Sequence, residues 1–385
     1  MRILLVYDCL YPHTIGGFER FYRDLATRLA RMHEVTYLTR VQWDRTAAPD
    51  LPEGVKLLAL NCGRHLYTAA GRRRILPPVL FGLGVLGHLV RHRADYDIIQ
   101  TCSFPYFPML SCAAVRAIGG PPVVTDWIEV WSDQYWQRYL GPLGGRMGAW
   151  VQRLCIRLTS NAFTLSELSA NALRAKAYRN PLLVLKGLAT TPVPETIEAR
   201  RDPVLVFAGR HIPEKHIDAI PAAIAMARRS IPQLRAQIFG DGPERAKVLR
   251  EIARLHLEEV IECPGFVPWP RLENAMNRAT GLILPSEREG YGSIVIEAIA
   301  RGTPAIAVAG PDNAATCLVI DNVTGFISPT VEPFDLATAI VKVYEAGEAL
   351  RARTHGWYRA HAAEISIDAS IAQMEEVYRN IQDGN

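Results

Sequence analysis

The sequence predicts an α/β chain built from two doubly wound, Rossmann-like units that face each other across a cleft. Three observations predict it. Strand and helix signals alternate through the first half, a second alternating set begins after Pro181, and residues 190–195 and 198–203 between them are polar and proline-bearing, as linkers are. Alternation of this kind implies parallel sheets covered on both faces. Ligands of such sheets lie beyond the carboxyl ends of the strands.

Residues 1–8 form the first strand, a short apolar run that turns polar at Asp8 and is not a secretory signal. A loop through Tyr11, Pro12, His13, Thr14, Ile15, Gly16 and Gly17 follows, with two glycines placed where a phosphate could approach the backbone. Phe18, Phe21, Tyr22, Leu25 and Leu29 then have helical spacing over 18–32. Further strands are expected at 34–40, 55–60, 97–101 and 122–126, and in the second unit at 204–208, 235–240, 260–263, 281–284 and 304–307. From Ser366, the spacing of Ile367, Ile371, Met374, Val377 and Tyr378 marks a last amphipathic helix. The expected division is 1–188, 189–365 and 366–385.

A length of 385 residues suits two cores, and 49% hydrophobic with 21% charged residues is ordinary for a soluble protein. The net charge of +4 argues for anionic ligands or a membrane surface only weakly, and does not suggest nucleic acid. Seven cysteines without a C-x-x-C pair read as reduced core thiols of a cytoplasmic protein. The apolar run 75–90 is shorter than the ~20 residues of a membrane span. Arg72, Arg73 and Arg74 on one side, with Arg91, His92 and Arg93 on the other, suit a peripheral membrane segment, and a buried helix is the competing reading. Gly82, Gly84 and Gly87 fit a G-x-G-x-x-G pattern but follow no strand, Asp95 and Asp97 lead into a buried strand, and the histidines lack metal-ligand spacing. No metal is expected.

The most informative stretch follows the strand at 281–284. Glu289, Gly290, Tyr291 and Gly292 form a loop that opens at Ser293 into helical spacing, so free backbone N–H groups and a helix dipole converge where a phosphate could sit. Glu289 in the loop and Glu297 about one turn into the helix flank that point, and carboxylates accept hydrogen bonds from sugar hydroxyls. A ligand with phosphate in the middle and polyols at both ends is a nucleotide sugar. With seven residues between Glu289 and Glu297, and with Arg301-Gly302-Thr303-Pro304 ending the helix, the stretch resembles the Glu-x7-Glu motif of the retaining GT-B glycosyltransferases of family 4.

The resemblance covers nearly the whole chain and implies transfer of a sugar from a nucleotide diphosphate sugar, expected to be of UDP type, to a small-molecule or lipid-linked acceptor, without metal or other cofactor. It implies that the final helix crosses back to the first unit. Arg210 and Lys215 match the family's Gly-Arg-x4-Lys, which implies that they hold the diphosphate and, with Glu289, serve catalysis. It also implies donor contacts from Gly16, Gly17, Phe266, Val267, Gly290, Tyr291, Gly292, Ser293 and Glu297. His13, Asp126, Trp127, Ile128, Glu129 and Trp131 are the expected acceptor or sugar pocket, a buried aromatic core being the competing reading of the tryptophans. Members most similar to this chain have histidine where Ile128 stands. A pocket for a deoxysugar, natural-product biosynthesis, a non-catalytic nucleotide-sugar binder and a GT-B epimerase all stay open on that departure.

Overall fold

A computed structural model of the chain describes residues 1–43, 51–62, 66, 73–192, 194 and 202–384. Arg72 and most of the expected linker, 193 and 195–201, lie outside the described residues. The chain divides into two compact units, Met1–Gly187 with Ile367–Asn385, and Leu188–Ser366.

The first unit is a parallel sheet of β1 (Arg2–Val6), β2 (Glu34–Arg40), β3 (Val55–Leu60), β4 (Ile98–Cys102), β5 (Val123–Trp127), β6 (Asn161–Thr164) and β7 (Leu182–Val184). Their spatial order is β3-β2-β1-β4-β5-β6-β7. Helices α1 (Gly17–Leu29), α2 (Leu76–His92), α3 (Tyr106–Ala117), α4 (Asp133–Leu158) and α5 (Glu167–Ala175) cover it. Right-handed crossovers put α1 on one face and α2 to α5 on the other. Burial from both sides explains why β1 reads Ile3-Leu4-Leu5-Val6 without polar alternation. The strand order reverses between β1 and β4, so the loops after these two strands border the ligand crevice such a sheet provides.

The second unit repeats the plan. Its strands are β8 (Val204–Ala208), β9 (Arg235–Phe239), β10 (Ile261–Gly265), β11 (Gly281–Leu284), β12 (Arg288–Glu289), β13 (Ala305–Val308), β14 (Asp312–Asn313) and β15 (Gly325–Ser328). Six of them form a sheet in the order β10-β9-β8-β11-β13-β15, while β12 and β14 pair separately in parallel. Helices are α6 (Ala219–Ala227), α7 (Arg245–Arg254), α8 (Trp269–Arg278), α9 (Ser293–Ile299) and α10 (Pro333–His361). Here the order reverses between β8 and β11.

The last helix, α11 (Ile367–Gln382), belongs to the first unit and packs beside α1. Arg28 Nε meets Asp368 Oδ1 at 2.6 Å, and the Tyr378 hydroxyl donates to Gln100 of β4. Among the described residues no helix is long and apolar enough to cross a membrane.

Candidate active site

In the second unit the loops after β8 and β11 meet at the strand reversal. Lys215 Nζ pairs with Glu289 Oε1, and the Ser286 hydroxyl donates to the same oxygen at 2.6 Å. Both charged side chains are largely enclosed, at 16% and 13% exposure, so their attraction is screened less than that of a surface pair. The main chains are tied as well: Glu287 N donates to Glu214 O at 2.9 Å, and His216 Nε2 lies 3.3 Å from Glu287 Oε2. The expected site residues Lys215 and Glu289 are therefore in contact before any ligand is considered.

Asn313 supports this arrangement from behind. Its buried side-chain amide donates to Ser286 O at 2.9 Å and Val308 O at 2.8 Å, while its oxygen accepts from Ala315 N at 3.1 Å. Asn313 is also the register partner of Glu289 in the β12-β14 ladder. A second support lies under the other loop. Gly240 has φ 116 and stands so close that a Cβ there would fall 1.9 Å from Gly209 O, which only glycine permits. This fixes the strand end from which exposed Arg210 extends.

Glu297 is buried in α9. Arg301, one turn on, donates to Glu297 O at 2.6 Å and to Glu273 Oε1 at 2.5 Å, with its guanidinium 5.5 Å over the Trp269 ring. Helix α9 has only seven residues, so its dipole is short. Gly290 and Gly292 are buried in the loop, Ser293 opens α9 half-buried, and Phe266 and Val267 follow β10, exposed and half-buried respectively. Tyr291 is buried in the same loop. Its hydroxyl is enclosed, accepts from Leu188 N at 3.2 Å and is pushed up to about 12 by burial, so the side chain fastens the start of its unit.

In the first unit, His13 is exposed beside Trp43 with ring centroids 5.1 Å apart, Gly16 precedes α1 and Gly17 opens it. Gly16 has extended backbone at φ −172, and the Glu19 carboxylate, which accepts from Tyr7 Oη at 3.2 Å, folds into the space beside it. Ile128 and Glu129 are half-buried after β5: Ile128 O accepts from Ser169 Oγ at 2.7 Å, and Glu129 accepts from Trp131 Nε1 at 3.0 Å. Trp131 is stacked on Phe104 and touches Trp136 with centroids 4.5 Å apart, so it is part of a packed aromatic group.

Two residues of the expected pocket lie in the interior of the unit. Trp127 has no exposure and donates through Nε1 to Thr159 Oγ1 at 3.1 Å inside the hydrophobic core. Asp126 is buried too, accepting from Tyr22 Oη at 2.5 Å and from Gln100 Nε2 at 2.8 and 2.9 Å. Burial pushes its carboxyl up to about 7, against the opposing hydrogen bonds from Tyr22 and Gln100. Both residues hold the fold together, because the side chains at this strand end turn into the covering helices.

Sequence reasoning missed Asn313 and a buried pair at the end of β1, where Asp8 Oδ2 meets Arg73 Nη2 at 2.5 Å and the Arg73 guanidinium lies 5.1 Å over Phe104. A carboxylate at the end of a buried strand signals a cation partner, but not which arginine supplies it. Among the described residues no group of side chains is arranged to hold a metal ion.

Two family models match the chain: a "glycosyl transferase 4-like domain" over residues 16–187 and "glycosyl transferases group 1" over 194–355. An alpha-D-kanosaminyltransferase of Streptomyces kanamyceticus is 24% identical over 69% of this chain and 72% of its own. A D-inositol 3-phosphate glycosyltransferase of Streptomyces griseus is 31% identical over 45% of this chain, which spans only 38% of that protein. Among solved structures, sucrose-phosphate synthase from Thermosynechococcus elongatus superposes with a TM-score of 0.79 at 18% identity, over all of both chains. Anabaena HepE in complex with UDP-glucose gives 0.72 at 18% identity, covering 99% of this chain and all of that one. At these identities the superpositions speak for the fold alone.

Proposed function

Since the chain is a GT-B glycosyltransferase, a glycosyl transferase 4-like domain followed by a group 1 domain, we propose that it moves a sugar from a nucleotide diphosphate sugar to an acceptor hydroxyl or amine with retention at the anomeric carbon. The contact of Lys215 with Glu289 at the strand reversal carries this reading. Arg210 and Lys215 hold the diphosphate and offset the charge that grows on it as the glycosidic bond breaks. Ser286 and Lys215 engage Oε1 of Glu289, and its Oε2 takes the sugar hydroxyls. Glu297 serves the ribose end. In the proposed step the bond from the anomeric carbon to the phosphate oxygen breaks, the acceptor bonds to that carbon on the same face, and its proton passes to the departing phosphate. UDP is the carrier that the family resemblance implies, and a specialised small-molecule acceptor is favoured by the likeness to the kanosaminyltransferase. Incubation with a panel of nucleotide sugars, reading thermal stabilisation and sugar release, tests the proposal. Stabilisation without release under any acceptor would support the non-catalytic binder instead, a reading that rests on Ile128.

A further inference from the structure

We propose that the second arm of α4 is a docking surface for an anionic lipid bilayer. The helix breaks at Gly141, whose φ of 77 only glycine adopts readily, and continues from Pro142 as a new arm. This arm packs back on the first one. A Cβ on Gly145 would lie 2.5 Å from Gln137 Cα, and one on Gly148 would lie 2.4 Å from the Trp136 ring, so the inner face is in tight contact. Ala149, Gln152, Cys155 and Ile156 are buried along the same side.

The outer face runs against the usual pattern of a soluble helix. Leu143 is 81% exposed, Met147 65% and Trp150 61%, and Leu158 continues the row at 44%. Spacings of three, four and eight residues place them on one stripe. Such a row of large apolar side chains marks an interaction site. Its occupant is indicated by charge. Arg146, Arg153 and Arg157 fall along one flank of the stripe by helical period, and no Asp or Glu occurs from 142 to 158. Arg153 also pairs with Asp133 of the first arm. An apolar stripe with an indole, edged by arginines alone, has the chemistry of an interfacial helix on anionic lipid, with the tryptophan at headgroup depth and the arginine stems reaching up to phosphates. A second copy would bring like charges together.

The test uses the full chain with sedimented vesicles of phosphatidylcholine alone or mixed equally with phosphatidylglycerol. The expected result is partition onto the anionic vesicles at low salt, weakened by high salt. The triple variant Leu143→Ser, Met147→Ser, Trp150→Ser should lower partition about tenfold or more, through lost apolar burial. These positions are exposed, so its melting temperature should stay close to that of the parent. Arg146→Gln with Arg157→Gln is a second variant that leaves the apolar row intact and should also lower partition. Absence of partition at low salt overturns the proposal, as does partition unchanged in both variants. Concentration-dependent dimerisation lost in the triple variant, with no capture by vesicles, would assign the face to a second copy and overturn it equally.

Discussion

Asn313 holds the carbonyl of Ser286 at 2.9 Å, and Ser286 in turn holds Glu289 Oε1 at 2.6 Å. The amide of one buried side chain thus fixes the loop that orients a carboxylate of the proposed site. Asn313→Ala removes donors from two buried carbonyls, a loss of roughly 1–3 kcal/mol for each group left unpaired. The expected outcome is a lower melting temperature and a turnover reduced about tenfold. Ser286→Ala should reduce turnover too, and the double variant should fall short of the product of the two losses because both act through Glu289. Fully multiplicative losses in steady-state kinetics would show that Asn313 does not act along this route.

The two carboxylates should separate kinetically. Glu297→Ala is expected to raise KM with little change in kcat, since a ribose is bound alike in ground and transition states, whereas Glu289→Ala should mainly lower kcat. Equal effects of the two substitutions on kcat would remove the division of labour.

Arg210→Ala and Lys215→Ala should each lower turnover by roughly 10²–10³-fold, the size of losing one preorganised charged donor. Transfer should persist in the presence of a chelator. Activity abolished by chelation and restored by magnesium or manganese would contradict the assignment of charge neutralisation to these two cations.

The central strands were legible in the sequence because each is a buried apolar run: Ile3 to Val6 and Gly281 to Leu284 can be little else. Strands β6 and β15 were not, since each has only two large or apolar side chains, Ala162-Phe163 and Phe326-Ile327, between polar or glycine ends, and β7 is only half-buried. The loops bearing Arg210, Lys215 and Glu289 were found from glycine and charge at strand ends. Asn313 was not, because its contact with Ser286 spans 27 residues of chain and has no local signature. The burial of Asp126 and Trp127 was hidden for a different reason. A strand-end rule locates a position along the sheet but not the face to which a side chain turns, and here both turn into the helices.

Asp126 makes stability depend on pH in a direction opposite to that of most carboxylates. Its folded-state value of about 7 lies above the unfolded value, so the folded state binds the proton more tightly, and the contribution is complete below about pH 4 and lost as pH rises towards 7. Asp126→Asn keeps an acceptor for Gln100 and cannot ionise. The melting temperature of the variant minus that of the parent should therefore climb between pH 4 and 7 and then level off. A difference that is flat across this range would mean that Asp126 ionises in the folded protein no later than in the unfolded one, and burial does not hold its proton.

Ile128 stands where the resemblance leads one to expect histidine, and it is half-buried directly after β5. If the side chain borders the donor sugar, it offers no hydrogen bond and presents a hydrophobic wall. A hydroxyl buried against that wall loses roughly 1–3 kcal/mol, so a donor lacking it should be preferred by about one to two orders of magnitude in kcat/KM. Ile128→His restores a polar partner at the same place, with its main-chain oxygen still held by Ser169. The variant should gain on a fully hydroxylated hexose donor and lose its preference for the deoxysugar. Competition assays with paired donors read this directly. A parent that prefers a common hexose, with no gain in the histidine variant, would place the side chain away from the sugar; failure of both proteins to turn over any donor that stabilises them would favour the binding role.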